Sequence, residues 1–284
     1  MNRQGETNVY IIYRKQFIET LSLSVRMTTI VSCYYKLNTS KHSHTNYDIW
    51  IKNLLLNVKA NMVIFTSQSD QPYLNEIATR NTELKCTIIV KELDELEIYK
   101  KYPTIWDNQE MLDPNKKCGR GRGCYMLWNS KFHFMKEAID MNIYDSEYFI
   151  WNDIGNVRDN RIIPLLNTYP QTARISKDKL DIVLLQLFNA VQDFYCNEVH
   201  FSGSMFGGHR DTILKINDLY YNCFNHYVEN NKFIGCDQQI ISSVCVKNIH
   251  LFHPIFPIDY KVDPWFYLYQ YYGDNYLEQC QQIK

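Results

Sequence analysis

The residues best suited to chemistry lie in one stretch, residues 146–159, which reads SEYFIWNDIGNVRD. Its apolar, β-prone run at residues 148–151 leads to Asp153, and Gly155 follows two residues later. A buried strand that delivers a carboxylate into a glycine-containing turn is typical of open α/β sheets, whose ligands bind beyond the carboxyl ends of the strands. A carboxylate there suits a hard divalent cation, which in turn can hold a diphosphate. An ordinary turn after a buried strand is the alternative.

The composition argues against several classes of protein. The chain has 284 residues, of which 45% are hydrophobic and 21% charged, as in folded globular proteins. A formal net charge of -1 gives no electrostatic basis for binding nucleic acid or an anionic membrane. The nine cysteines include no C-x-x-C pair, which favours reduced thiols over a zinc ribbon or a disulfide framework. Because neither a membrane span nor a signal peptide is evident, the sequence predicts a cytoplasmic protein.

Alternating strands and helices must position the stretch around Asp153. Runs of β-branched and apolar residues predict strands at residues 28–34, 61–66 and 86–90. Helical spacing of apolar residues predicts helices at residues 47–59 and 70–80 between them. This order predicts a mostly parallel sheet with helices on both faces and right-handed crossovers.

The second half continues the α/β pattern within one domain. One amphipathic helix is predicted at residues 125–141, a strand of small residues at 201–208, and a long helix at 210–230. Asp237 is placed to cap a further helix, and a last short strand ends at His253. We expect the aromatic C-terminal segment to pack over the sheet.

Two regions fall outside this pattern. The tract at residues 103–123 contains KKCGRGRGC and is predicted to be a mobile loop or lid rather than a phosphate loop. Residues 1–26 are predicted to be an extension that precedes a single domain at residues 27–284, and Met27 is a possible alternative start.

Several segments in this order resemble the HtrL/YibB family of suspected glycosyltransferases, and the shared layout covers roughly residues 28–252. The segments are TTIVSCYY, YDIWIKNLL, MVIFTS, WNSKFHFMKEA, YFIWNDIG with Arg158, and FSGSMFGG. The resemblance implies a GT-A-like fold with a Rossmann-type central sheet. It also implies sugar transfer from a nucleotide-sugar donor, most often a UDP-sugar, to a hydroxyl of a glycan or a glycosylated protein.

The metal site implied by the resemblance departs from the usual motif. GT-A enzymes commonly carry D-x-D, whereas residues 151–153 here read WND, although the family's own W-x-D-x-G pattern is met. We therefore expect Asn152 and Asp153 at the cofactor, with His253 as a second ligand to Mn²⁺ or Mg²⁺ and His250 in reserve. The alternative for either histidine is a half-buried strand residue with a backbone partner.

The resemblance also implies a donor pocket. Lys131 and Arg158 would add positive charge at the diphosphate. Ser32 and Tyr34 would line the nucleoside pocket, with Thr66 as a weaker candidate.

The sugar end would lie at the Asp237-Gln238 pair. In the resembling enzymes this acid contacts donor hydroxyls or acts as general base, and Gln238 would contact the anomeric face. A plain helix cap, worth about 1 kcal/mol, is the alternative for Asp237. Gly207 and Gly208 would let a donor or acceptor approach the backbone closely.

Two other functions compete with glycosyl transfer. The second hypothesis, motivated by the incomplete D-x-D, is an inactive module of the same fold that binds a nucleotide or a glycan. A metal-dependent phosphodiesterase is less favoured, because too few acids and histidines lie near the strand before Asp153.

Overall fold

The computed structural model describes residues 28–113, 119–188, 198–258 and 260–273. The predicted extension at residues 1–26 and the part of the basic tract at residues 114–118 lie outside these ranges.

The described residues form one seven-stranded sheet in the order β3-β2-β1-β4-β6-β5-β7. β6 runs antiparallel to both of its neighbours, and the other four pairs are parallel. This confirms the predicted α/β class with a mostly parallel sheet. The strands are β1 (Thr28–Tyr34), β2 (Asn61–Thr66), β3 (Lys85–Val90), β4 (Tyr148–Asn152), β5 (Leu180–Leu184), β6 (Phe201–His209) and β7 (Phe252–Ile255).

Helices cover both faces of the sheet, as predicted. Alternate side chains of a strand point to opposite faces, so Ile30 lies in one core cluster and Val31 in the other. The helices are α1 (His44–Leu55), α2 (Gln71–Ala78), α3 (Glu97–Lys101), α4 (Trp106–Leu112), α5 (Arg122–Asn129), α6 (Lys131–Met141), α7 (Arg210–Glu229), α8 (Asp237–Lys247) and α9 (Leu268–Tyr272). Among these, none is long and apolar enough to cross a membrane.

The prediction of one helix over residues 125–141 was wrong, because the helix is interrupted at Ser130. The Ser130 hydroxyl donates to the carbonyl of Met126 at 2.7 Å. Asn129 is fully buried and donates to the carbonyls of Tyr125 and Ile234. The chain restarts as α6 at Lys131, whose side chain is thereby buried rather than exposed.

The prediction of a loop over residues 103–123 was also wrong, because α4 lies within it and α5 begins at Arg122. Trp106 opens α4 and is fully buried, with its ring 6.3 Å from that of Phe224. One large side chain anchors this helix, so the segment lacks the apolar periodicity by which helices are predicted.

The aromatic C-terminal segment packs on the sheet, as expected. Tyr267, Tyr269 and Tyr272 are fully buried in the same cluster as Ile30.

Candidate functional site

Two adjoining cavities, of about 110 and 510 Å³, open beyond the carboxyl ends of β1 and β4. They share Lys131, Asp153 and Arg158, so we describe them together as the cleft. The smaller cavity lies beside the chain that leaves β1, and the larger one extends to Gly203 and the start of α8.

A buried ammonium joins two carboxylates at the floor of the cleft. The Nζ atom of Lys131 lies 3.2 Å from Oδ1 of Asp153 and 2.9 Å from Oδ2 of Asp237. It also donates to the carbonyl of Gly203 at 2.8 Å. We call these residues the Asp153–Lys131–Asp237 cluster. One formal positive charge between two negative ones leaves the cluster with a net charge of -1.

Three elements hold the two acids in place. The amide of Asp153 donates to the carbonyl of Ser204 at 2.8 Å, which prolongs the pairing of β4 with β6. The indole of Trp151 donates to Oδ1 of Asp153 at 2.7 Å. Asp237 is the first residue of α8, and Cys236 takes the N-cap position, so the prediction that Asp237 caps this helix was wrong.

Burial and charge act against each other in the cluster. Burial raises the pKa of Asp237, and the charge of Lys131 opposes that rise. For Lys131, burial lowers the pKa, but Asp153 and Asp237 more than offset it, so the pKa lies well above its usual value and the ammonium stays charged.

A second cation, Arg158, lies in the cleft without a carboxylate partner. Its guanidinium carbon lies 4.4 Å from the ring centre of Trp50 and 5.2 Å from that of Phe266. Its Nε atom donates to the carbonyl of Gly155 at 2.8 Å. In the described parts of the chain, no carboxylate comes within 4 Å of this guanidinium. Burial lowers the pKa of Arg158, as expected for a charge that lacks a close counter-ion.

The comparison with known proteins identifies the family. The profile of a family described as "Bacterial protein of unknown function (HtrL_YibB)" matches residues 26–273. The chain belongs to the HtrL_YibB family. The match includes all seven strands and the whole cleft, and it confirms the resemblance seen in the sequence. No curated protein matches the chain.

Half of the residues predicted for the site of this HtrL_YibB protein meet in the cleft. Tyr34 lines the smaller cavity, and Gln238 lines the larger one together with Asp237. With Lys131, Asp153 and Arg158, six predicted residues come together from four places in the chain, which are β1, α6, the segment after β4 and the start of α8.

Three of the predicted residues lie inside the sheet instead. Ser32 and Thr66 are fully buried, and the hydroxyl of Thr66 donates to the carbonyl of Tyr34 at 2.6 Å. Asn152 is also fully buried, with its amide 3.3 Å from the carbonyl of Asp153. Neither cavity is lined by these three residues, so they are structural neighbours of the cleft and do not form its wall.

The prediction that Gly207 and Gly208 admit a ligand is corrected by the structure. A Cβ atom on Gly207 would lie 2.9 Å from Cγ1 of Ile150, on the neighbouring strand. A Cβ atom on Gly208 would lie 3.0 Å from the carbonyl oxygen of Lys179. Both glycines therefore leave room for adjacent chain within the sheet.

His253 does not lie beside Asp153. Its Nδ1 atom is 2.8 Å from Oδ1 of Asp181, the residue opposite it on β5. β7 lies three strands from β4, on the order of 14 Å at the usual strand spacing. The predicted pairing of Asp153 with His253 as metal ligands is therefore corrected, and His250 is exposed in the turn before β7.

The residues of the cleft do not fit a divalent cation held by two protein ligands. Lys131 already lies between Asp153 and Asp237, where such a cation would bridge them. We therefore derive no chemical step through a metal ion.

Several residues of the cleft were not predicted from the sequence. The larger cavity is also lined by the aromatic side chains of Trp128, Trp265 and Phe266. Trp128 belongs to the amphipathic helix predicted at residues 125–141, and Trp265 and Phe266 belong to the aromatic C-terminal segment that was expected to pack over the sheet. Their aromatic character was visible in the sequence, but nothing local distinguishes an aromatic side chain at a cleft from one in a core.

Proposed function

We propose that this HtrL_YibB protein is a glycosyltransferase. It would move a sugar from a nucleoside-diphosphate sugar, with a UDP-sugar as the first candidate, to a hydroxyl of a glycan or a glycosylated protein. The observation that carries the proposal is the convergence of Asp153, Asp237 and Arg158 on one cleft beyond the carboxyl ends of β1 and β4. This is where ligands bind in open α/β sheets.

The smaller cavity suits the nucleoside. Tyr34 and Tyr47 line it, with ring centres 6.2 Å apart, and Leu37 lies beside them. Planar bases stack favourably on such aromatic and apolar side chains. A base held there leaves the diphosphate in the part of the cleft shared by both cavities, beside Arg158.

The larger cavity suits the sugar and its acceptor. In the transfer, the acceptor oxygen forms a bond to the anomeric carbon as the bond from that carbon to the diphosphate oxygen breaks. The electron pair of the broken bond leaves with the diphosphate, and the hydroxyl proton goes to a base. We assign that role to Asp237, because burial raises its pKa and a more basic carboxylate accepts a proton more readily.

Arg158 would act on the leaving group. Negative charge grows on the diphosphate as the bond breaks, so hydrogen bonds from a guanidinium strengthen toward the transition state. An arginine with donors not committed to a carboxylate is suited to bidentate contacts with phosphate.

The proposal is tested by offering the protein a panel of nucleotide sugars and following products by mass spectrometry. We expect turnover of at least one donor, reduced by about 100-fold or more in Asp237→Asn, because a general base contributes about that factor. Asp94→Asn is the matched control, since Asp94 is exposed and lines neither cavity. Nucleotide binding without turnover would identify an inactive binding module, and no response to any nucleotide would refute the proposal.

A further inference from the structure

The Asp153–Lys131–Asp237 cluster lies at the carboxylate where the sequence predicted a metal ion. All three N–H donors of the Lys131 ammonium have an oxygen within 3.2 Å, on Asp153, Asp237 and Gly203. Its side chain is only 5% exposed, so it cannot swing into solvent to vacate the position. A divalent cation added there would lie against a fixed positive charge, which opposes its binding.

The carboxylate oxygens of Asp153 are largely engaged by other groups and have little capacity left to bind a metal ion. Oδ1 accepts from the Trp151 indole at 2.7 Å and lies 3.2 Å from Lys131. Oδ2 lies 3.5 Å from Lys131 as well. Divalent cations of this class need several oxygen ligands. Asp159 and Asp263 also line the larger cavity, but no group of three or more His, Cys, Asp or Glu side chains placed to hold a metal ion occurs among the described residues.

Arg158 supplies the positive charge that a diphosphate needs. Among the described residues, two of its five N–H donors have partners, the carbonyl of Gly155 and the Nε2 atom of His42, which lies 3.2 Å from Nη1. The guanidinium lies over the rings of Trp50 and Phe266, which fix its plane. Three donors therefore remain for phosphate oxygens in the cavity that Arg158 lines.

We propose that the cleft binds a nucleoside diphosphate without a divalent cation. Arg158 binds the phosphates, and Lys131, in place of a metal ion, holds the two carboxylates together. This inference rests on the proposed function for its ligand. It replaces the manganese site predicted from the sequence with contacts made by the chain itself.

The test is calorimetric titration of UDP into the full chain, in EDTA and in manganese chloride. We expect the two dissociation constants to agree within about threefold. Arg158→Gln should raise the dissociation constant for UDP by about tenfold or more, because charge-assisted hydrogen bonds are lost. Arg158→Lys, which keeps the charge and loses the planar fork, should recover part of the affinity.

Arg80→Gln is the control, because Arg80 is exposed and lines neither cavity. Circular dichroism melts of each variant show whether it is folded before its affinity is compared. UDP binding that requires manganese, or that survives Arg158→Gln unchanged, overturns this inference and leaves the glycosyltransferase proposal standing. UDP binding in EDTA without sugar transfer supports the inference and refutes the transferase, and no binding of UDP under either condition refutes this inference.

Discussion

Lys131 is charged and buried, and its two partners are a buried acid, Asp237, and a half-buried acid, Asp153. The side chains of Lys131 and Asp237 are 5% and 6% exposed, and that of Asp153 is 34% exposed. Taking such charges out of water costs several kcal/mol each, and they are tolerated only as a matched set. The cluster is therefore most sensitive to the loss of one member.

We predict that Lys131→Met destabilises the protein by about 3–5 kcal/mol near neutral pH, because it leaves the carboxylate of Asp237 buried and uncompensated. Unfolding by urea, followed by circular dichroism, measures the loss. Lys136→Met is the matched control on the same helix, since Lys136 is 44% exposed in a surface ion pair with Asp140. Its effect should stay within about 0.5 kcal/mol.

The same variant should show a defined pH dependence. Burial raises the pKa of Asp237, and the charge of Asp153 adds to that rise. Without Lys131, the rise is opposed only by a backbone hydrogen bond from Gln238 among the causes that the described residues supply. The folded variant then binds more protons than the unfolded chain between the ordinary aspartate pKa, about 3.9, and the raised one. The difference in free energy of unfolding between the variant and the wild type should therefore shrink as the pH falls through that window. The double variant Lys131→Met/Asp237→Asn should regain much of the lost stability at neutral pH. A loss of stability that is relieved neither by low pH nor by the second substitution would contradict this account.

At the scale of elements, the contact of β6 with the first turn of α8 places Asp237. Gly203 lies on β6, where a Cβ atom would come 2.7 Å from Cγ of Gln238 and 2.8 Å from Oδ2 of Asp237. The carbonyl of the same residue accepts from Lys131. One glycine thus permits the approach that puts α8 beside the cleft.

We predict that Gly203→Ala lowers donor turnover by about 10- to 100-fold, because the added methyl must displace the first turn of α8 and small misplacements of catalytic groups are costly. The affinity for UDP should change little, since the contacts of Arg158 and Tyr34 lie on other elements. Steady-state kinetics and calorimetry separate the two effects.

Gly208→Ala is the matched control for that substitution, because Gly208 lies on the same strand but is paired with Phe149 near the start of β4 and lines neither cavity. Its Cβ atom would meet the carbonyl oxygen of Lys179 at 3.0 Å. Turnover should be nearly unchanged in this variant, and equal losses in both variants would show that the β6–α8 contact has no special role.

At the scale of the whole molecule, one buried carboxylate connects the edge of the sheet to the C-terminal segment. Asp181 on β5 accepts from the hydroxyl of Tyr272 in α9 and from the amide of Ser176, each at 2.8 Å. Its other oxygen lies 2.8 Å from Nδ1 of His253 on β7. His253 therefore belongs to the packing of the sheet edge rather than to the cleft.

We predict that His253→Gln leaves UDP affinity unchanged and lowers stability only on the acid side. The hydrogen bond to Asp181 raises the pKa of His253, so its stabilising effect is complete below the ordinary histidine pKa and is lost as pH rises through the raised value. The effect should stay below about 1 kcal/mol, because the side chain is 41% exposed and solvent screens the pair. Thermal melts from acid to alkaline pH measure it, and a loss of UDP affinity would restore His253 as a site residue.

The sequence by itself determined the family and most strands of the sheet, but neither β5 nor the bounds of β7. β1 and β2 have the bounds that their β-branched and apolar runs predicted, and β6 differs by one residue. These features follow from local side-chain preference and from continuous apolar runs, since these strands are buried along nearly their whole length. Asp153 was likewise identified from its place at the end of a buried strand.

Only the tertiary structure decided which side chains meet. Lys131 and Asp237 are 106 positions apart, and their ion pair depends on the interruption at Ser130 and on the approach of α8 to Gly203. His253 was assigned to the site because it follows the last strand, but the register of β7 against β5 places it opposite Asp181. Strand order and register are set by packing between distant segments, and no local pattern of residues carries that information.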